Sequence, residues 1–496
     1  MQALLWLCAL ALLPAGLAAP VTPFHEAEQI LVPRQPIAPI DDPFYSGDDV
    51  LQIQRVGPGV ALRSRPVDLA QFGILPISIK AATQVLYSTT DMSGGITANM
   101  MTVITPNGRA ESETGVPKVL VYQPAQDSAY SGCAPSIQLQ SGATGNLLVQ
   151  AEQLLMNHAL TKGYTLVVPD YEGPSSAFTV GSLSGTGVLD AARTALKLPE
   201  VVSADKSHLV RMALMGYSGG ALASGWAAQQ LEKYAPELSG NFVGMVLGGI
   251  PVNVKNILLK LNKGAISGLV GTGMAGQYNA RPTFKEYLDQ HATPAGKDAL
   301  RRANVSPNRC SEVPLIANKD AQLIVGSRTP SRFPATDWFS LFDVPQDELL
   351  AAPPVKEALD QGSLGGLDAV GMTIPAYIYQ AMLDEVVVAS DVDDYVAAQC
   401  KISSTKSITY VRELAAEHIS MIITGSPSGF VWLEDRFNGL EAPKGCDTQS
   451  RLLTLLEPRV VAELGSFLLS QLTILLGQSS KGFVASLLTN LGNTVT

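Results

Sequence analysis

Strand-length apolar runs alternate with runs of helical spacing along most of this chain, and that order is the signature of a mostly parallel sheet covered by helices on both faces. KVLVYQ at 118–123 and YTLVVPD at 164–170 read as strands, and the stretch between them, 146–164, has helical spacing and ends at a glycine. The series continues with a helix over 187–198, a strand over 209–216, a helix over 221–235, and strands over 242–249, 375–383 and 407–414. The expected fold class is α/β, a doubly wound sheet. Between Gly249 and Pro375 the rhythm breaks into mainly helical, glycine-punctuated sequence that is too long for a loop. It reads as a cap, residues 251–369, folded over the carboxyl edge of a core made by 43–250 and 370–458, the edge at which open α/β sheets bind ligands.

LMGYSGG, residues 214–220, lies where a strand gives way to an alanine-rich helix. A corner that sharp favours residues without a Cβ. Gly216-Tyr217-Ser218-Gly219-Gly220 matches the G-x-S-x-G nucleophile elbow in its letters and in its strand-to-helix context. Such an elbow holds the serine Oγ clear of the sheet edge and turns the N–H of Gly219 towards the oxygen of a bound acyl group. Alone, the pattern also fits an ordinary glycine-rich turn, so partners are required.

A serine hydroxyl needs a base to take its proton. In α/β-hydrolases the chain order is Ser, then Asp or Glu, then His. Of the five histidines, His25, His158, His208, His291 and His418, only the last two follow Ser218. His291 falls inside the cap, whereas His418, in AAEHIS, comes just past the strand SITYVREL, where a catalytic loop belongs. The preceding strand runs out at Asp384-Glu385. Asp384 comes first and is expected to orient the imidazole through Nδ1, with Glu385 in reserve. A second oxyanion donor besides Gly219 belongs to the loop after an early strand. Asp127 is one of several positions there that could supply it; its backbone N–H is the natural donor, since an ionised carboxylate would repel an oxyanion.

The first residues, MQALLWLCALALLPAGLA (1–18), join an apolar core to a helix breaker and small residues, and read as a secretory signal without a basic n-region. Residues 19–42 form a proline-rich arm or pro-segment, and 459–496 an apolar helical tail or flap rather than a membrane span. Loss of Cys8 with the signal leaves Cys133, Cys310, Cys400 and Cys446. An even number in an oxidising compartment implies two disulfides in one of three pairings, and the wide spacing does not suit zinc. The net charge of −10 argues against nucleic acid. Asn304-Val305-Ser306 is the only glycosylation sequon, and Pro307 follows it. No metal or organic cofactor is called for.

IDDPFYSG, VYQPAQDSAYSGCAPS, VVPDYEGPSSAF, GYSGGALASGWAAQQLEKYAPEL, LDEVV and AAEHIS, in that order, together resemble the fungal secretory lipases of the yeast lipase A type, over about Asp41 to Cys446. The resemblance implies an α/β-hydrolase fold with a large helical cap or lid. It implies cleavage of acylglycerols by Ser218, Asp384 and His418, with Asp127 and Gly219 in the oxyanion hole. It also implies the pairing Cys133 to Cys310 and Cys400 to Cys446, which spacing alone cannot choose. The strongly apolar tail and the segment VVPDYEG depart from the family pattern, and bear on substrate more than on catalysis. The leading expectation is a secreted, extracellular, monomeric serine lipase that forms an acyl-enzyme with lipid esters at a lipid–water interface. Its rivals are a carboxylesterase or acyltransferase for a smaller ester such as a secondary metabolite, and a non-catalytic protein that binds an apolar ligand on the same scaffold.

Overall fold

A computed structural model of the chain describes residues 36–39, 41–46, 53, 56–70, 79–108, 117–143, 147–304, 310, 335–365 and 370–463. The signal stretch, most of the arm, the tail from 464 onward, and residues 305–309, 311–334 and 366–369 of the cap lie outside the described residues. So does the rest of the sequon after Asn304.

Among the described residues ten strands form one sheet: β1 (Ala61–Pro66), β2 (Ile79–Thr90), β3 (Ile96–Pro106), β4 (Lys118–Gln123), β5 (Thr165–Pro169), β6 (Arg211–Tyr217), β7 (Phe242–Gly248), β8 (Ala376–Ala381), β9 (Ser407–Glu413) and β10 (Gly445–Arg451). Their order is β1-β2-β3-β5-β4-β6-β7-β8-β9-β10. Pairing is parallel from β5 to β10 and antiparallel among β1, β2, β3 and β5. The doubly wound sheet expected from the alternation is present. The antiparallel β1–β3 unit was not anticipated, because strands such as ITANMMTVITP interleave polar and apolar residues and carry no continuous apolar run.

The main helices are α1 (Leu147–Thr161), α2 (Gly181–Ala195), α3 (Gly219–Tyr234), α4 (Val254–Leu261), α5 (Gly268–Ala280), α6 (Pro282–His291), α7 (Pro294–Asn304), α8 (Gln346–Ala351), α9 (Pro353–Gly362), α10 (Ala389–Gln399), α11 (His418–Thr424) and α12 (Ser426–Phe437). Successive strand residues point to opposite faces, and β4 divides accordingly. Val119 and Val121 join Val188 and Leu189 of α2 and Ala223 and Ala227 of α3 in one apolar layer. Leu120 and Tyr122 join Leu155 and Met156 of α1 and Phe430 and Leu433 of α12 in the other. All six β4 residues are buried, as expected of a central parallel strand. Helix α2 begins six residues before the expected 187, at Gly181. Its glycines, which look like a loop, serve close packing: a Cβ at Gly185 would come within 2.8 Å of the Trp226 backbone on α3.

Helices α4 to α9 form the insertion between β7 and β8, and their apolar faces, including Leu258, Phe284, Leu288 and Leu359, extend the first core layer. Lys260 of α4 reaches the loop after β8, and Gly276 of α5 packs on the Phe178 backbone beyond β5, so the insertion lies across the carboxyl edge of the sheet. Cys133, beyond β4, is bonded to Cys310 of the insertion, and Cys400, after α10, to Cys446 of β10. The second bridge closes a loop of 46 residues that includes His418 and ties down an edge strand whose side chains are mostly exposed. Among the described residues no helix is long and apolar enough to cross a membrane.

Several carboxyl groups are buried between the sheet and its helices. Glu152 of α1 accepts hydrogen bonds from Tyr122 Oη and the Ala125 N–H, both at 2.7 Å, and burial pushes it up to about 8. Asp170 accepts from the Ser136 N–H (2.7 Å) and Oγ (2.5 Å), and burial pushes it up to about 7. Asp190, bonded to Thr89 and Tyr234, is pushed by burial up to about 6 even though Arg193 sits beside it. Each group keeps its proton in the folded chain at pH values where the unfolded chain, titrating near 4, has lost it. The folded state therefore binds more protons over this interval, and stability falls as pH rises from about 4 through about 8. The melting temperature is expected to be higher near pH 5 than near pH 8, with Glu152→Gln removing part of the difference. A melting temperature that climbs across the interval would contradict this account.

Candidate active site

At the carboxyl end of β6 the chain turns into α3 through Ser218, whose φ of 53° and ψ of −121° lie outside the ordinary regions for a residue with a side chain. The turn is held by the Ser218 N–H donating to Gly248 O at 2.9 Å, and by its carbonyl accepting from the Leu222 N–H at 3.0 Å. Glycine at 216 and 220 makes this possible. A Cβ on Gly216 would collide with the Gly220 backbone, and one on Gly220 with the carbonyl of Gln123 on the neighbouring β4.

Three residues past β8, Asp384 is folded back on its own loop. Its Oδ1 accepts the N–H groups of Val386 (2.8 Å) and Val387 (2.6 Å), and its Oδ2 accepts Gln380 Nε2 (2.8 Å). His418 opens α11, five residues past β9. Its Nδ1 lies 2.8 Å from Asp384 Oδ2 and its Nε2 lies 2.9 Å from Ser218 Oγ. All three side chains are buried. With the proton on Nδ1 facing the carboxylate, Nε2 is left to accept from the serine hydroxyl. Burial alone would raise Asp384, but the His418 charge and hydrogen bond, with the two backbone N–H groups, hold it below the usual carboxylate range. For His418 burial opposes the charged form, yet the carboxylates of Asp384, Glu385 and Asp127 outweigh it and raise the imidazole above its ordinary value.

The other sequence candidates fall in different places. His291 sits on α6 with its Nδ1 2.9 Å from Asp343 Oδ1, away from this cluster. Glu385 does not touch the imidazole; its Oε2 accepts the backbone N–H of His418 at 2.6 Å. Asp127 occupies a left-handed turn (φ 47°) in the loop after β4, with its carboxyl buried against Gly219, where a Cβ would collide with Oδ1. That oxygen has no hydrogen-bond partner among the described residues. Burial pushes the Asp127 carboxyl up to about 6, against the opposing charge of His418. The premise that this group is an ionised anion is therefore not met in mildly acidic solution.

Two participants escaped the sequence reading. Tyr217, the variable residue of the elbow motif, donates its Oη to the carbonyl of His418. Lys260 on α4 donates through Nζ to the carbonyls of Asp384 and Val387, at 2.7 Å each. Both act on main-chain oxygens, for which a sequence offers no signal. Beside the cluster, Leu258, Met274, Phe284, Leu349 and Val355 line an apolar hollow within the insertion. Thr179 at its wall follows Phe178, whose ring lies 3.5 Å from where a Gly219 Cβ would stand.

A serine bonded to a buried histidine that is backed by a carboxylate is equipped for acyl transfer. The comparisons agree with that chemistry. The secretory lipase family profile matches residues 137–445. Lipase A of Arthroderma benhamiae is 33% identical over 452 residues, 89% of each chain. A Mycobacterium tuberculosis protein named "Probable inactive lipase MT1628" is likewise 33% identical, over 84% of this chain and 86% of its own. The solved structure of Candida antarctica lipase A in its closed state superposes with a TM-score of 0.73 at 27% identity, covering 88% of this chain and 95% of that one. Its fold is the α/β-hydrolase arrangement that the strand order here reproduces. The chain belongs to the secretory lipase family, a family of lipase-type ester hydrolases in which one relative is named as inactive.

Proposed function

We propose that the chain is a secreted serine lipase that cleaves acylglycerol esters through an acyl-enzyme. The observation that carries the reading is the unbroken hydrogen-bonded line Asp384–His418–Ser218, at 2.8 and 2.9 Å. Family membership alone would not suffice, since one relative of equal identity is named as inactive. Ser218 Oγ attacks the ester carbonyl as its proton passes to His418 Nε2, and the tetrahedral intermediate collapses as the same proton goes to the leaving alcohol. A water molecule, deprotonated by His418, then attacks the acyl-enzyme, and the fatty acid leaves with Ser218 restored. Asp384 keeps the imidazole in the required tautomer and supports its transient charge.

The developing oxyanion needs two donors. In this reading Gly219 supplies its N–H, and Asp127 supplies its carboxyl in the protonated form. Support comes from the buried Oδ1 beside Gly219, unpartnered among the described residues, and from the raised proton affinity of the carboxyl. A negative charge forming next to it strengthens its hold on the proton further. The side chains that line the hollow of the insertion are apolar, which favours a lipid over a small polar ester. Secretion is supported by the two disulfides and the apolar leader. The cap, residues 251–369, would then be the element that covers the substrate.

Ser218→Ala is expected to abolish labelling by a fluorophosphonate probe and to lower kcat by about 10⁴-fold or more. Equal labelling of wild type and variant would sink the nucleophile assignment. The pH dependence follows from the two groups. Activity rises with pH as His418, raised above its ordinary value, loses its proton and can act as base. Activity falls as Asp127, near 6, loses the proton it donates, a titration that overlaps that of His418 and is coupled to it. The expected kcat/KM profile is a bell with its maximum between mildly acidic and neutral pH, its two limbs belonging to the pair jointly. Asp127→Asn keeps a donor that does not ionise and should flatten the alkaline limb, whereas Asp127→Leu should cost about 10²–10³-fold. An unchanged alkaline fall in the asparagine variant would assign that limb to another group.

A further inference from the structure

We propose that Glu385 and Tyr217 position the histidine base by gripping its main chain from opposite sides. The proposal rests on the reading of His418 as that base. His418 stands at the junction of a loop and a helix, the weakest place from which to aim a side chain, since Leu414 and Glu417 of that loop are exposed. One hydrogen bond from Asp384 to Nδ1 fixes the ring only if the backbone beneath it stays still. Three first-turn N–H groups of α11 lack partners within the helix. They are shared between two carboxylates. Glu417 forms a capping box with Ser420 and takes the Ser420 N–H, while Glu385 takes the N–H of His418 at 2.6 Å and faces that of Ile419 at 3.4 Å. Glu417 therefore does not duplicate what Glu385 does.

The carbonyl of His418 is held by Tyr217 Oη, and the Tyr217 ring lies 5.2 Å from the imidazole. Tyr217 precedes the nucleophile directly, so the elbow that aims Ser218 also reaches the backbone of its base. Gly249 leaves room for this contact, since a Cβ there would stand 3.0 Å from both His418 Cε1 and Tyr217 Oη. Nucleophile and base are thus registered to each other through main-chain atoms as well as through the Oγ to Nε2 hydrogen bond. Glu385 has a second effect, because its charge favours the protonated imidazole. The other groups facing His418 among the described residues are Asp384 from the same loop, Asp127 from the loop after β4, and Tyr217 and Ser218 from the elbow. Glu385 is exposed, so its charge acts through solvent and is open to screening by salt.

The test compares Glu385→Ala, Glu385→Gln and Tyr217→Phe with wild type on a soluble ester across pH, at low and high salt, with melting temperatures recorded. Removing the grip should lower kcat in Glu385→Ala by about 10-fold with little change in KM, and Tyr217→Phe should lower it several-fold. Glutamine keeps an acceptor oxygen and loses the charge. It should therefore recover most of kcat while its acid limb moves to lower pH, as in the alanine variant, and the shift should shrink at high salt. If both Glu385 variants retain the wild-type acid limb, or if the alanine variant retains wild-type kcat, the proposal is overturned. Should Glu385→Ala fail to fold, the glutamine and phenylalanine variants decide by the same readouts. A wild type that takes no fluorophosphonate label would instead implicate the underlying assignment of Ser218 and His418.

Discussion

Parallel registration of β6, β7, β8 and β9 is the constraint on which the site depends. Tyr217 pairs with Gly248, Gly248 with Tyr379, and Tyr379 with Val411, so four strands end nearly level along one edge. The residues that follow those ends are the elbow, the acid loop and the loop that enters α11. Ser218 and His418 are 200 positions apart in the chain, yet their side chains meet at 2.9 Å because this lateral line allows no slip. A one-residue shift in a strand would send every side chain on it to the other face. The strained backbone of Ser218, which costs about 1–3 kcal/mol at such dihedrals, is held by the same registration, since its N–H is bonded to Gly248 at the end of β7.

What could be read beforehand follows from this physics. β4, β6 and β7 are covered on both faces, so their burial is written as continuous apolar runs, and the helices between them carry their own spacing. The elbow was legible because three glycines around one serine answer to collisions that can be foreseen. The meeting of Asp384 and His418 with Ser218 was legible because order along the chain becomes position along the sheet edge. β10 was not, since GCDTQSR is polar and exposed and is a strand only through its ladder to β9 and its disulfide to Cys400. The start of α2 was hidden by glycines that serve a neighbouring helix. Tyr217, Lys260 and the true contact of Glu385 were hidden for a different reason. Each is directed at a backbone atom, and every residue has one.

Burial acts with opposite results at two carboxyl groups of the site. Asp384 is surrounded by donors, two backbone N–H groups, an amide and an imidazole, and stays ionised in spite of its burial. The Asp127 carboxyl is equally hidden from water but has no partner on Oδ1 among the described residues, and its proton is held more tightly. One residue type thus holds its proton weakly at 384 and more tightly at 127 because of what surrounds it. The function proposed above uses that difference, with a fixed negative charge behind the imidazole and a protonated carboxyl beside the oxyanion.

The insertion belongs to this balance as much as to the substrate. It is joined to the loop after β4 by Cys133–Cys310, and to the loop after β8 by the Lys260 ammonium on two carbonyls. Those are the loops that carry Asp127 and Asp384. An element fastened to both sides of the cluster disturbs one of these contacts if it shifts as a rigid whole. In the proposed lipase, access for an acyl chain would then come from rearrangement around the apolar hollow between α4, α5 and α9. The helices that line that hollow meet through side chains such as Leu258, Met274 and Leu359, whose contacts carry no directional bonds and can be exchanged for those of an acyl chain.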